Sequence, residues 1–259
     1  MKLLFSFILI SLCLLFWSMF IEPNILIVKH LTIHDERLKG LKIVFASDFH
    51  VKPHETYRLN KIVRTINEQN PDIVLFGGDY VNGHKKGNSL SIEKIAKKFS
   101  YIVSKYGTYV VIGNHDGWQG KEEIIEALKK NGINVLFNNN ACFKDFCIAG
   151  VDDLQTGNPD IEKALSGVNK PVILLTHTPD IMPNVPYNVN LTLAGHLHGG
   201  QVRLNKALIV PSIYGDKYAN GFLNDKGKKI YTTKGLGTSI LPIRFNCPPE
   251  IVVIEFPLH

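Results

Sequence analysis

Short apolar runs of four or five residues punctuate the chain from residue 42 onward, at 42–46, 73–76, 109–112, 172–176 and 191–194. They are rich in β-branched side chains and show no apolar–polar alternation, so they predict strands buried on both faces rather than helices. Helical periodicity fills the gaps between them. Leu59, Ile62, Val63 and Ile66 form one stripe, with Thr56 as the expected cap and a stop before Asn70-Pro71. Ile92, Ile95, Ala96, Phe99 and Ile102 form a second. A third helix is predicted over about 121–131, with Glu122 and Glu123 in its first turn and Gly132 as its stop. Asn158-Pro159 predicts the cap and first turn of a short helix ending at Leu165. Residues 135–151 read as short strands or a hairpin. Beyond 200 the pattern is antiparallel β, at 201–204, 207–210, around Asp225-Lys226-Gly227 and finally at 251–256.

The first residues differ from all of this. Between Leu3 and Ile21 there is no charge, only Lys2 before the run and Glu22-Pro23 after it. At about 1.5 Å per residue such a helix crosses a ~30 Å hydrocarbon layer. Phe16, Trp17 and Phe20 suit the interface. A cleaved signal peptide would have a shorter apolar region and an A-x-A-like site, so an uncleaved anchor over 1–22 is the expectation, followed by one catalytic domain over 23–259. Lys2 and the free amine argue for an inside N-terminus with the domain outside the cytoplasm; Lys29 and His30 argue the other way.

Composition adds little. With 259 residues, 45 % hydrophobic and 20 % charged, the chain is ordinary for a folded domain with an ample core. A net charge of +6 is compatible with an anionic partner without naming one. The cysteines at 13, 142, 147 and 247 contain no C-x-x-C. Cys142 and Cys147 would face each other across a turn at Lys144-Asp145. A disulfide is open to them in an oxidising compartment, but two small buried side chains are the expectation.

The candidate chemistry lies where the strands stop. Asp48 and His50, Asp79, Asn114 and His115, His177, and His196 with His198 each follow one of the five apolar runs. Ligands of open α/β sheets collect outside the carboxyl ends of strands. One crevice would therefore gather them all. Imidazole and carboxylate donors suit manganese, iron or zinc. In an extended backbone the two histidines of Gly195-His-Leu-His-Gly-Gly-Gln201 would point the same way. Asp152-Asp153 reads as a strand-end turn and is left outside the site.

The order D-x-H, G-D, G-N-H-D, a lone H and G-H-x-H resembles the calcineurin-like metallophosphoesterase superfamily. Gly195–Gln201 together with the Leu-Pro-Ile-Arg-Phe-Asn-Cys-Pro-Pro-Glu run ending at Glu250 is similar to its membrane-associated bacterial branch. That branch includes general phosphodiesterases and UDP-2,3-diacylglucosamine pyrophosphatases of lipid A synthesis. The resemblance implies an α/β fold, a four-layer sandwich of two mixed β-sheets flanked by helices, here preceded by one N-terminal transmembrane helix. It implies two divalent metal ions, manganese foremost with iron and zinc as alternatives. Asp48, His50, Asp79 and His198 would hold one. Asp79, Asn114, His177 and His196 would hold the other, with Asp79 bridging. His115 would then be the proton donor or a phosphate-binding cation, oriented by Asp116. Tyr80-Val81-Asn82-Gly83 stands where the Ser/Thr protein phosphatases carry D-R-G, which argues against phosphoprotein substrates.

The expected activity is hydrolysis of a phosphodiester or pyrophosphate, in a nucleotide-lipid such as UDP-2,3-diacylglucosamine or, alternatively, in a general or cell-envelope phosphodiester. A non-catalytic scaffold should have lost ligands, and none is lost here. A nuclease is disfavoured by the anchor and by the lack of a basic cluster with interleaved aromatics, so no nucleic-acid partner is expected. Substrate contacts are expected from the loops at 80–90 and 212–224.

Overall fold

The computed structural model describes residues 2–258. Helix α1 (Lys2–Phe16) continues through a π-helical turn (Trp17–Ile21) and a 3-10 turn (Glu22–Asn24). The catalytic half begins with β1 (Ile27–Thr32), β2 (Lys42–Ala46), α2 (Thr56–Glu68), β3 (Ile73–Phe76), α3 (Ile92–Phe99) and β4 (Thr108–Val110). Then follow α4 (Asn114–Lys130), β5 (Asn134–Val135), β6 (Asn139–Cys142), β7 (Cys147–Gly150), α5 (Ile161–Ala164), β8 (Val172–Leu175) and β9 (Val189–Ala194). Last come β10 (Gly221–Asp225), β11 (Lys228–Thr232) and β12 (Glu250–Glu255).

The strands form two six-stranded sheets, ordered β1-β12-β2-β3-β4-β5 and β10-β11-β9-β8-β7-β6. Both are mixed. β2 to β5 run parallel, while β12 is antiparallel to β2 and parallel to β1. In the second sheet β7, β8, β9 and β11 are parallel and the two edge strands antiparallel.

Alternate residues of the same strand feed different cores, which is why the runs are continuously apolar. Val44, Val74 and Val110 pack under α2, α3 and α4, against Leu59, Ile95 and Leu128. Ile43, Phe45 and Leu75 face the second sheet and meet Ile148, Ile173 and Leu191. Ala149, Leu174 and Ile230 turn the other way, toward Ala164 and the 3-10 turn at Ile181 and Met182. Three cores separate four layers, the α/β sandwich of two mixed sheets flanked by helices. Each fully buried large aliphatic contributes roughly 1.5–3 kcal/mol.

Several local expectations are corrected. Thr56 is the first residue of α2, and Glu55 holds the capping position. The short helix starts at Ile161, because the Asp160 carboxylate accepts from the Lys163 amide at 2.9 Å. Residues 201–210 make only isolated bridges, Arg203 to Ala207 and Val202 to Phe245, in place of two strands. The third helix begins seven residues early, at Asn114, and passes through a left-handed break at Gly120 (φ 125°). Cys142 and Cys147 are joined by a disulfide rather than lying as two small buried residues. They form a non-hydrogen-bonded cross-strand pair with Cα atoms 4.1 Å apart, next to the Phe143 N–H to Phe146 carbonyl bond. Cys142 is exposed and Cys147 buried.

Lys2–Asn24 is a helical stretch of 23 residues, long and apolar enough to cross a membrane. Its last turns are fastened to the domain. The Ser18 carbonyl accepts from the Arg244 amide at 2.8 Å. The buried Glu22 carboxylate accepts from the Trp17 indole at 2.8 Å and from the Cys247 amide.

Candidate metal centre

Three of the strands that reach the centre, β2, β3 and β9, turn sharply as they end. Asp48, His50, Asp79, His196 and His198 all have left-handed backbones, with φ of 55°, 40°, 56°, 70° and 51°. Such a conformation costs on the order of 1 kcal/mol for a residue with a Cβ. Neighbouring chains hold it: the Asp48 amide donates to Gly78 O and the His50 amide to Asp79 O, both at 3.0 Å. The two close histidines are therefore not on an extended strand. They leave a tight turn in different directions and serve different halves of the centre.

Glycine lets the carboxylates be packed this closely. A Cβ on Gly113 would sit 2.2 Å from Asp79 Oδ1, and one on Gly195 would sit 2.6 Å from Asp48 Oδ2. Both positions tolerate no side chain.

The structure brings all seven expected ligands together. In one half, His50 Nε2 and His198 Nε2 lie 3.1 Å apart, and His198 Nε2 is 3.6 Å from Asp48 Oδ1. In the other, Asn114 Oδ1 lies 2.9 Å from His177 Nε2 and 3.0 Å from His196 Nδ1. Asp79 Oδ2 stands between the halves, 3.4 Å from His50 Nε2 and 3.3 Å from His177 Nε2. The ring nitrogen of His177 that faces away donates to Gly77 O at 2.7 Å, which aims the Nε2 lone pair inward.

This arrangement fits divalent cations. Ligand atoms of Asp48, His50 and His198, and likewise of Asp48, Asp79 and His177, lie within 4.8 Å of one another. Two buried ring nitrogens, Nδ1 of His50 and of His198, have no hydrogen-bond partner. Their Nε2 atoms face each other without any carboxylate or carbonyl between them. Borderline cations accept this mixture of oxygen and imidazole donors.

The electrostatics point the same way. Burial drives His50 down to about 3 and His196 to about 4, and pushes His198 well below its ordinary range. These rings are neutral at physiological pH, with lone pairs free. Burial would also depress His177, but the Asp79 charge and hydrogen bond lift it to about 10. Burial would raise Asp79, yet the charge and hydrogen bond of His177 hold it low. Burial, opposed by His177 and reinforced by Asp79, raises Asp48 to about 7. A cation entering beside His177 must displace its proton.

His115 lies at the mouth of this cluster. Its Nδ1 lies 2.9 Å from Gly83 O and its Nε2 3.4 Å from Ser239 Oγ. Asp116 does not touch that ring, contrary to expectation. Its carboxylate instead accepts from the amides of Asp79 (2.8 Å), Tyr80 (2.8 Å), Val81 (3.2 Å) and Gly113 (3.0 Å). The first turn of α4 presents it to the loop after β3, so Asp116 positions Asp79. Burial pushes it up to about 7.

Asp152 and Asp153 stay outside the ligand cluster. Asp152 pairs with Lys121 at 2.9 Å, and Asp153 caps the turn at Gln155 and Thr156. That turn delivers a residue the sequence did not single out, because Gln155 Nε2 lies 3.1 Å from His196 Nε2. Other overlooked neighbours are His84 and Trp118, whose rings pack on His115 at 5.1 and 4.9 Å. No local motif marks them. They come from a polar loop and a helix face that meet only in the folded chain.

Residues 41–200 match the family model described as calcineurin-like phosphoesterase. The chain is a calcineurin-like metallophosphoesterase. This phosphoesterase is 34 % identical over 242 residues to the phosphodiesterase YaeI of Escherichia coli, an alignment covering 88 % of this chain and 87 % of that one. It is 32 % identical over 253 residues to the metallophosphoesterase YkuE of Bacillus subtilis, with 92 % and 87 % covered. A transmembrane protein with a metallophosphoesterase domain from Danio rerio is 30 % identical over 240 residues, covering 85 % of this chain and 54 % of that protein. As a member of this family the chain is a metal-dependent phosphoesterase, and the cluster described above could hold metal ions.

A groove of about 490 Å³ opens from the phosphoesterase's centre. Asn114, His115, His196 and His198 form its floor, while Leu208, Ile209, Ile240 and Leu241 form an apolar wall. His84 reaches it from the expected loop at 80–90, whereas the other wall comes from 208–211 and 239–243 rather than 212–224. The Gln201 side chain, at the end of the G-H-x-H turn, holds the 239–243 segment, donating to Leu241 O at 3.1 Å and accepting from the Ser239 amide at 2.7 Å.

Proposed function

We propose that this phosphoesterase is a membrane-anchored, two-metal phosphodiesterase acting on a lipid-linked phosphodiester or pyrophosphate. The observation that carries the reading is Asp79 Oδ2, 3.4 Å from His50 Nε2 and 3.3 Å from His177 Nε2, between the two groups of ligands. Asp48, His50, Asp79 and His198 would hold one cation, and Asp79, Asn114, His177 and His196 would hold the other. Once bound, the cations neutralise phosphate oxygens and acidify the attacking water. Manganese is the first choice, and iron or zinc suits the same donors.

The chain's own residues do the rest. Asp79 would be the bridge, and Asp116 fixes its loop by accepting from the amides of Asp79, Tyr80, Val81 and Gly113. With Nδ1–H directed at Gly83 O, His115 presents Nε2 to the groove, where a proton can pass to the leaving oxygen. Gln155 fixes the rotation of the His196 ring so that Nδ1 faces Asn114.

We take α1 to cross the cytoplasmic membrane once, which holds the groove near lipid head groups. The apolar wall beside the metal ligands suits an acyl-bearing substrate, and UDP-2,3-diacylglucosamine is the specific candidate. A cell-envelope phosphodiester is the second reading. The Cys142–Cys147 disulfide favours it, because such bonds persist outside the cytoplasm, where the nucleotide-lipid is not made.

Purified, manganese-loaded protein in detergent, offered UDP-2,3-diacylglucosamine and bis-p-nitrophenyl phosphate, separates these readings. Release of UMP far above the generic rate supports the nucleotide-lipid and a cytoplasmic domain. Turnover of the generic diester alone supports the envelope reading. Turnover of neither with both cations bound overturns the catalytic assignment in favour of a scaffold.

A further inference from the structure

The anchor enters at the edge of the sandwich that carries the metal ligands. β1 and β12 run opposite to β2, so Ile27 and Glu250 begin at the carboxyl edge of β2, where Asp48 lies. The Arg244 amide donates to Ser18 O, which sets the preceding residues 240–243 at the level of the aromatic end of the helix, Phe16 to Phe20. The loop at 201–213 is fastened to the same segment, because Arg203 N donates to Phe245 O at 3.0 Å and Phe245 N to Gln201 O at 2.9 Å.

Both loops end in bare apolar tips. Ile240 is 94 % exposed, Ile213 83 % and Ile209 77 %, with Leu204, Leu208 and Leu241 also more than half exposed. Leu208, Ile209, Ile240 and Leu241 line one groove, and a contiguous exposed apolar patch on a folded domain marks an interaction surface. Arg203, Lys206 and Lys234 lie in or beside the loops. Two acids are tied in at their base, Asp216 pairing with Arg203 at 3.2 Å and Asp180 accepting from the Ile213 amide at 3.1 Å.

We propose that the loops at 204–213 and 240–243 form an apolar apron that seats in the head-group and acyl boundary of the bilayer spanned by α1. Two features select a lipid surface as the occupant: continuity with the membrane-facing end of the helix, and bare aliphatic tips with Lys206 and Lys234 beside them. The apron shares Leu208, Ile209, Ile240 and Leu241 with the groove, so the groove mouth opens at the membrane surface and not into bulk water. The substrate then reaches the metals by lateral movement, without leaving the bilayer. This rests on the reading of α1 as an anchor.

The test is a depth measurement on the full-length, metal-loaded chain in vesicles containing anionic lipid. An environment-sensitive label is attached in turn to native Cys13, to Ile213→Cys and to Ile240→Cys, the last two in a Cys13→Ser background. Lys129→Cys in the same background, on the far edge, is the aqueous control. The proposal expects blue-shifted emission at 213 and 240, and quenching by shallow spin-labelled lipid at least about twofold stronger than at 129. Water-like emission at 213 and 240 with Cys13 quenched overturns the apron and leaves the anchor standing. Blue-shifted emission without lipid quenching also overturns it, in favour of a protein covering the patch. An unquenched Cys13 removes the anchor reading and the apron with it.

Discussion

The two edges of the sandwich differ in how much strain and unpaired polarity they hold. At the carboxyl edge, five residues with side chains adopt left-handed backbones, charged groups are buried at close range, and two imidazole nitrogens lack partners. At the amino edge paired groups predominate, beside one left-handed residue, Asn70 (φ 48°), and one unpartnered hydroxyl, Ser104 Oγ. Asp35 accepts from Arg37 through both carboxylate oxygens at 2.9 Å and from Asn190 at 2.9 Å, latching the two sheets. The Asp72 carboxylate accepts from the Lys42 amide at 2.8 Å, and a disulfide closes the β6–β7 hairpin. The contrast teaches where this fold keeps its stability and where it spends it, since strain and unpaired polar atoms persist only where the surroundings enforce them.

The largest expected effect comes from Asp79→Asn. It keeps an acceptor for the His115 amide, now 2.8 Å from Asp79 Oδ1, but loses the charge shared between the halves. Turnover should fall by about 10³-fold or more with the fold intact. Normal turnover with two metals bound would defeat the bridging assignment. His115→Ala should cost about 10²–10⁴-fold while metal content is unchanged, most for substrates with poor leaving groups. Because ligand atoms of His115, His50 and Asp79 also cluster within 4.8 Å, loss of metal in that variant would make His115 a ligand instead.

Metal removal should relax the same edge in the opposite sense. At a free metal concentration about 100-fold above Kd each bound ion adds about 2.7 kcal/mol, so chelating both should lower the melting midpoint by roughly 10–20 °C. An unchanged midpoint would mean that the edge needs no cation. The far edge should answer only in stability. Cys142→Ser with Cys147→Ser should cost about 2 kcal/mol for so short a loop, with kcat unaltered. A change in kcat would show that the edges are coupled.

The smallest effect is at Asp35. Burial tends to raise this carboxyl, but its bonds to Arg37 and Asn190 hold it at about 2. A depressed folded value means that the stabilisation is present above the ordinary 3.8 and is lost as pH falls toward about 2. Asp35→Asn should therefore flatten the acid limb of the stability profile there and leave activity at neutral pH unchanged. Urea midpoints across that range decide it.

The fold class, the five buried strands and the seven clustered residues were legible in the linear pattern, because each depends on local chemistry. An uninterrupted β-branched run has no use except burial on both faces, and a ligand after each run must reach the edge to which parallel strands point. The length and apolarity of the first helix were legible for the same reason. What the pattern could not carry is direction. His196 and His198 looked like a same-facing pair, and only the left-handed turn, enforced by Asp48 accepting the His196 amide, sends them to opposite halves. Asp116 looked like a partner for its neighbour His115, yet helical geometry turns it toward amides that lie 35 to 37 residues earlier in the chain. Gln155, His84, Trp118 and the apolar loops gained their meaning only when distant segments met. Residue types and spacing determined that there is a centre and where along the chain its parts lie. Tertiary structure decided which atoms face which, because hydrogen bonds and backbone strain set orientation through contacts that no local pattern records.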